Sequence, residues 1–456
     1  MKLKYQRTLY LTFFAVFFVV APILALYTAG YRYDSKKGQL EKIGVLSVDS
    51  LPKDAGVFIN GKYQSQTPID IIKLLPGRYN IEIRKDDYYP WAKEIEIKSN
   101  AAAFYNDVIL FKKKLPELKI EGQINIFSAS TDGKKIIYSI VRENKEELRL
   151  LNINNNSDFL IEEFNSTTYN SLSFVEWSPT NTKALIRQAI GNFNKYLIVD
   201  TETLKSKELF NITRLNFSKI TWDRQNDFYL YGLQKTILYK IDLINNLTET
   251  VISANITDFQ IINSNIYYIT RSANDYFLNR KRLTTEELKD KKIKLLPFSD
   301  YSLKFADLKI LVLLDNKNND LFIVNSKIFD SESIENEIIL QANAKNIFWS
   351  ADKNNLIYYD NAELWTYNFD KNENKLINRY GEIIDNPIWY PKNNYIIYQM
   401  ENKIKIIEVG GKNYKNNITL AKLEEIKNLG IDQMGKILYF SGKIGNQEGI
   451  FQLELQ

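Results

Sequence analysis

The chain contains no cysteine and no histidine. Without cysteine there is no disulfide, no thiolate nucleophile and no thiolate metal ligand. Without histidine the commonest general base and the commonest metal ligand are both missing, so neither a Ser/His/Asp nor a Cys/His arrangement can be assembled within the chain. No Walker-type phosphate loop and no GxGxxG occurs, which removes the nucleotide-binding signatures. An excess of one charge is lacking too: 60 Lys and Arg stand against 55 Asp and Glu, a formal charge of +5 dispersed along 456 residues. Such a balance does not build a nucleic-acid surface. No cofactor, no metal and no catalytic residue is expected from these residues, and a non-enzymatic role is the reading they favour.

What is present begins with one long apolar run, Leu9 to Ala29, which carries no charged side chain. About 20 apolar residues in a helix span roughly 30 Å, the thickness of a bilayer's hydrocarbon core. A cleavable signal has a shorter apolar region and a small-x-small cut site. Here Ala25, Ala29 and Gly30 are wrongly spaced for one, and Tyr5, Tyr10, Tyr27, Tyr31 and Tyr33 bracket the run as interfacial aromatics do. A retained single-pass anchor is expected over residues 9–29, with Pro22 as a tolerated kink. Lys2, Lys4 and Arg7 precede the run, while Arg32, Lys36, Lys37 and Lys42 follow it, so the flanking charges do not set orientation. Long domains cross membranes largely regardless of charge. Residues 1–8 are therefore expected as a cytoplasmic tail, and the bulk of the chain as extracytoplasmic, at the cell envelope.

Residues 30–43 form a polar stalk, and a small β-module occupies residues 44–111. Tyr79, Ile81 and Ile83 alternate with Asn80, Glu82 and Arg84, and Ile95 and Ile97 alternate with Glu94, Glu96 and Lys98, the period of half-buried strands. Asn60-Gly61 supplies a tight hairpin turn and Pro76-Gly77 the next reversal. An antiparallel β-sandwich of about 70 residues follows, near the lower size for independent folding.

This stretch resembles the PEGA domain. The resemblance lies in Pro52 with Gly56, then Asn60-Gly61, Thr67-Pro68, Pro76-Gly77 with Tyr79, and Tyr88 with Pro90. Departures are Lys53-Asp54-Ala55-Gly56 in place of the family's tetrad, Ser65 where a Gly precedes the Thr-Pro step, and Asp87 in place of the Gly before Tyr88. The resemblance implies an extracytoplasmic binding or surface module without catalytic residues, and gives each motif residue a turn-forming or packing role. Phe104 to Phe111 reads as its last strand. Lys112-Lys113-Lys114-Leu115-Pro116-Glu117 then breaks the pattern, so residues 112–119 are expected as a linker, its lysines either solvated or touching anionic lipid.

From residue 120 to 456 the chain repeats itself. Two apolar positions, a Trp and a turn recur around Trp177, Trp222, Trp349 and Trp389. The intervals are about 42 residues, typical of propeller blades, and weaker copies lie around Ser128 to Tyr138, Phe259 to Thr270, Phe305 to Leu314 and Gly430 to Phe440. A single four-stranded sheet cannot bury both faces, so the copies are expected to pack radially into a seven- or eight-bladed β-propeller. The pattern is similar to TolB-type and WD-type propeller repeats, best in Trp177-Ser178-Pro179 and Trp349-Ser350-Ala351-Asp352. The repeat tryptophans are read as wedges between blades. Asp370-x-Asn372-x-Asn374 has the start of a calcium loop, but Lys375 and Gly381 stand where the loop needs Gly and Glu, so it reads as a turn.

The fold class expected is thus all-β behind one transmembrane helix. Two functions from different classes fit it. One is a membrane-anchored binding or scaffold protein that recognises protein, peptide or carbohydrate. The alternative is a carboxylate-dependent hydrolase or lyase on envelope polysaccharide, with acids such as Glu176 and Asp223 converging on the channel.

Overall fold

The computed structural model describes residues 2–35, 37–165, 169–262, 265–273, 275–283, 291–294, 299–306, 310–330, 337–350, 352–392, 394–409 and 416–456. Parts of two expected repeat copies, residues 263–264 and 307–309, and Ala351 of the Trp349 repeat, lie outside the described residues. The chain divides into two units. The first comprises Met1–Lys114 with Ile407–Ile418 and Glu454–Gln456, and the second comprises Leu115–Ile406 with Thr419–Leu453.

The first unit opens with a helix over Lys2–Thr28, which takes in the apolar run and adds a basic turn before it. Twenty-four of its residues, Tyr5–Thr28, are apolar enough to cross a membrane. At 1.5 Å per residue they measure about 36 Å. Phe13, Phe17, Val19 and Leu24 are exposed. Thr12 and Thr28 fold their hydroxyls back onto the carbonyls of Thr8 and Ala25.

After a short hairpin, Tyr31–Asp34 against Gln39–Lys42, seven strands build a two-layer sandwich. One sheet places Gly44–Leu51 between Ile69–Leu74 and Ala102–Ile109; the other orders Lys62–Gln66, Gly56–Ile59, Gly77–Arg84 and Trp91–Ile97. Every pairing is antiparallel except that of Gly44–Leu51 with Ala102–Ile109, which run parallel. The period of two is realised as read: Ile81, Ile83, Ile95 and Ile97 point into a core shared with Leu46, Val48, Val57 and Trp91. Asn60 and Gly61 both adopt positive φ, 48° and 78°, and join strands whose ends pair as Ile59 with Lys62. That is the geometry a two-residue hairpin loop requires.

The departures from the PEGA pattern have local solutions. Asp54 and Asp87 themselves take positive φ, 58° and 63°, a conformation that Asp tolerates better than most residues. Ser65 sits beside a register shift, pairing with Val57 while Tyr63 pairs with Phe58. Also inside this unit, the buried Lys93 ammonium meets Glu408 at 2.8 Å, and the other Glu408 oxygen accepts from the Trp91 indole and the Asn416 amide.

Among the described residues, eight four-stranded sheets lie in the second unit, apart from strand ends at 407–408, 417–418 and 454 that belong to the first. Their innermost strands are Gln123–Ala129, Ser171–Trp177, Lys219–Asp223, Ile256–Ile262, Tyr301–Ala306, Asn346–Trp349, Ile384–Trp389 and Glu425–Ile431. Each of the first seven sheets is a meander in chain order. The eighth is completed from the other end of the unit: Glu117–Glu121 pairs antiparallel with Gln447–Glu454 as its outermost strand. The stretch expected as linker, 112–119, therefore ends inside a strand.

Neighbouring blades are joined all the way round. Shared apolar clusters seal the first five junctions and that of the eighth blade with the first. Tyr359 OH donates to Asp385 between the sixth and seventh blades, and Tyr390 OH to the Gly435 carbonyl between the seventh and eighth. The unit is an eight-bladed β-propeller. Seven intrablade registers and one supplied by the unit's first strand give eight, which decides between the two counts open from sequence.

Candidate binding cavity of the propeller

Trp177, Trp349 and Trp389 each end the innermost strand of their blade, Trp222 stands one residue before the end of its own, and a turn follows. In three blades the residue after the innermost strand is a serine doing one job: Ser178 and Ser350 follow a Trp, and Ser130 follows Ala129. Ser130, Ser178 and Ser350 each donate a backbone N–H to the residue five positions on, and their hydroxyls accept the N–H of that same residue at 2.9–3.0 Å. A serine hydroxyl that substitutes for a backbone acceptor fixes the turn and hence the direction in which the preceding side chain leaves the strand.

Four tryptophans converge. Trp177, Trp222, Trp349 and Trp389, from the second, third, sixth and seventh blades, line one cavity of about 700 Å³ together with Tyr390. Two of them also reach the preceding blade. Trp177 donates its indole N–H to Ser128 Oγ of the preceding blade at 3.2 Å, and Trp389 to the Phe348 carbonyl at 3.4 Å. Trp349 stacks on Phe369 with centroids 5.2 Å apart. The Trp222 indole N–H is buried without a hydrogen-bond partner among the described residues. Burying an unmet donor costs about 1–3 kcal/mol, a cost that the packing around this ring offsets.

Five charged side chains share the cavity: Asp132, Glu176, Arg224, Lys353 and Asp432. Asp132 and Asp432 are engaged by their own turns. Asp132 accepts from Ser130 Oγ at 2.6 Å and Lys134 N at 3.2 Å, and Asp432 accepts from Lys436 N and Ile437 N at 2.6 and 2.8 Å. Glu176 bridges two blades instead, accepting the Trp222 backbone N–H. Burial pushes its carboxyl above the usual carboxylate value, against the opposing pull of Arg224 and of hydrogen bonds from Thr221 and Trp222. Asp223, the other acid that sequence put forward, is not in the cavity wall; its carboxylate accepts Gln225 N in a turn. Sequence reasoning passed over Asp132, Arg224, Lys353, Tyr390 and Asp432. All five lie within four residues after an innermost strand, so the repeat register that found the tryptophans could have found them.

A second, polar cavity of about 430 Å³ lies at the opposite end of innermost strands, around Lys219, Asp258 and Lys304. Lys219 donates to Asp258 and to the Phe259 carbonyl, and the other Asp258 oxygen accepts Leu303 N at 2.7 Å. Burial lowers the Lys304 pKa.

The described residues contain no group of three or more acidic side chains placed to hold a metal. Around Asp370 the side chains serve a hairpin: Asn372 and Asn374 accept from the hydroxyls of Tyr367 and Tyr358, and Asn368 accepts Lys371 N. In the PEGA-like module several motif residues make contacts within the fold. Thr67, fully buried, bonds Ser50 Oγ at 2.7 Å and accepts Ala55 N. Tyr79 OH donates to the Leu75 carbonyl ahead of the Pro76-Gly77 reversal. Tyr88 bridges to Lys112, two residues before Pro90 returns the chain toward Trp91.

Residues 43–106 match the PEGA domain. Among curated proteins none matches this chain. Solved structures similar to it include the C-terminal WD40 domain of Sif2, at 11% identity over 75% of this chain and 98% of that one, with a TM-score of 0.49. A Porphyromonas gingivalis dipeptidyl peptidase 4 is similar at 11% identity over 72% of this chain and 56% of that one, TM-score 0.48. Kluyveromyces lactis Hsv2 is similar at 9% identity over 66% and 98%, TM-score 0.42.

Proposed function

We propose that the protein is a membrane-anchored, extracytoplasmic binding or scaffold protein of the cell envelope, whose propeller takes a protein, peptide or glycan ligand in the tryptophan-walled cavity. The observation that carries this reading is the convergence of Trp177, Trp222, Trp349 and Trp389 on one cavity. Concave, largely apolar walls with a few placed polar groups are what ligand sites are made of, and Trp is the residue most enriched where binding energy concentrates. The helix Lys2–Thr28 supplies the tether, with the amino terminus inside.

The test is tryptophan fluorescence of the detergent-solubilised full chain, titrated separately with envelope glycan fragments and with peptides. Trp349, half-buried, is the ring to remove. Trp349→Ala is expected to weaken the binding of whichever class responds by at least tenfold, about 1.4 kcal/mol or more. Saturable binding that is indifferent to this change places the ligand elsewhere and defeats the reading.

A second reading, a carboxylate-dependent hydrolase or lyase on envelope polysaccharide, is favoured by Glu176 alone. A carboxyl whose pKa is raised by burial suits a general acid, and Asp132 and Asp432 share its cavity. It requires that the full chain release reducing or unsaturated ends from envelope polysaccharide and that Glu176→Gln abolish the release.

A further inference from the structure

The hairpin that follows the helix has two unlike faces. Its register pairs Tyr31 with Lys42, Arg32 with Glu41, Tyr33 with Leu40 and Asp34 with Gln39. Directly opposed residues share a face and alternate pairs share it too. One face is therefore Tyr31, Tyr33, Leu40 and Lys42, and the other Arg32, Asp34, Gln39 and Glu41. On the first face Tyr33 is 65% exposed and Leu40 51% exposed, an uncovered apolar pair, with the Lys42 ammonium 5.5 Å from the Tyr31 ring centroid. On the second, Asp34 is buried and Glu41 is held by Lys37 at 2.8 Å and by Gln39.

The position of this hairpin is fixed by the end of the helix. Arg32 reaches back to the Tyr27 carbonyl at 2.8 Å and lays its guanidinium 3.5 Å from the Tyr27 ring centroid. A cation on the last turn also complements the helix dipole. The base of the hairpin is tied to the same place by Ile43 N to Gly30 O at 2.9 Å. Only Ala29 and Gly30 separate the helix from Tyr31, so the first strand begins within about 10 Å of the last helical residue.

We infer that this hairpin is an interfacial element: its Tyr31/Tyr33/Leu40/Lys42 face lies against anionic lipid headgroups of the bilayer that the helix crosses. The inference rests on the anchor reading above. Tyrosines carry an apolar ring and a polar tip suited to the headgroup level, Leu40 adds apolar area, and Lys42 supplies the charge that anionic headgroups attract. In water the same face leaves Tyr33 and Leu40 uncovered directly beside a helix that is itself apolar all round.

The absence of cysteine makes the test clean. The full chain carrying Leu40→Cys is labelled with a nitroxide and reconstituted in vesicles of phosphatidylcholine, with or without about one-third phosphatidylglycerol. Collision rates are read with oxygen, which concentrates in lipid, and with a polar relaxant. Val19→Cys reports the helix and Lys62→Cys the water-exposed turn of the sandwich. The Leu40 label is expected to show an oxygen-to-polar ratio at least about threefold above the Lys62 label. Phosphatidylglycerol should raise that ratio, and Lys42→Gln should remove about fivefold of the anionic preference. A Leu40 label as wet as Lys62, with Val19 in the acyl region, overturns the inference and leaves the anchor standing. A Leu40 label shielded from both relaxants means a protein partner or a second copy covers the face, which also overturns it. A Val19 label outside the acyl region overturns the anchor reading and this inference together.

Discussion

Glu176 and Lys93 show how differently two buried charges behave. Glu176 has its carboxyl pushed above 4.5 by burial, so between the unfolded and the folded pKa the native state holds more protons than the unfolded chain. Stability therefore falls as pH rises through that window, and the contribution of the protonated form is present only below it. Glu176→Gln keeps an acceptor for the Trp222 N–H and cannot titrate. Thermal unfolding of the full chain in detergent should then lose less stability above pH 4.5 in the variant than in the parent; parallel curves would contradict this. Lys93 is the opposite case, a cation whose carboxylate partner is further held by Trp91 and Asn416. Lys93→Met strands Glu408 and should cost about 3 kcal/mol, while Lys93→Met with Glu408→Leu should recover much of it. Equal losses in single and double variants, measured by chemical denaturation, would show that the pair is not coupled.

At the scale of the element, the closing strand Glu117–Glu121 is where the propeller is most exposed to a single substitution. A β-carbon placed on Gly449, opposite Glu121, would lie 1.9 Å from the Ile120 carbonyl oxygen. Backbone cannot yield as a side chain can, so Gly449→Ala should cost about 2–3 kcal/mol. Gly445, in the turn just before, has φ +58° and nothing within 4 Å, and Gly445→Ala should cost only about 1 kcal/mol, from the strained backbone. If the two variants lose the same stability, the close approach at Gly449 is not what holds the last blade. The hairpin Tyr31–Lys42 belongs to this scale as well, because its two faces exist only once Tyr33 is set opposite Leu40.

For the whole molecule, the proposed anchoring predicts that protease added to intact cells digests the propeller while the residues before Tyr5 stay protected. Protection of the propeller would reverse the orientation. The tryptophan cavity also belongs here, since its walls come from blades as far apart in the chain as Asp132 and Asp432, and a ligand that fills it should raise the unfolding temperature of the entire propeller. Binding at 100 times Kd is worth about 2.7 kcal/mol by mass action. The Trp349→Ala chain should lose that gain.

The amino-acid sequence determined whatever has a local physical cause. Leu9 to Thr28 is a helix long and apolar enough to cross a membrane, legible from the run of uncharged residues alone. Ile81, Ile83, Ile95 and Ile97 alternate because a strand has two faces, and Asn60-Gly61 turns because few other residue pairs accept two positive φ angles. The repeat spacing announced a propeller for the same reason. Only the tertiary structure decided that there are eight blades, since the last is finished by Glu117–Glu121, more than 300 residues away from its partner strand. It alone brought Glu176 into a cavity with Asp132, Arg224, Lys353 and Asp432 and left Asp223 outside. Convergence across blades depends on how far each strand is rotated about a common axis, and no spacing within one blade carries that information.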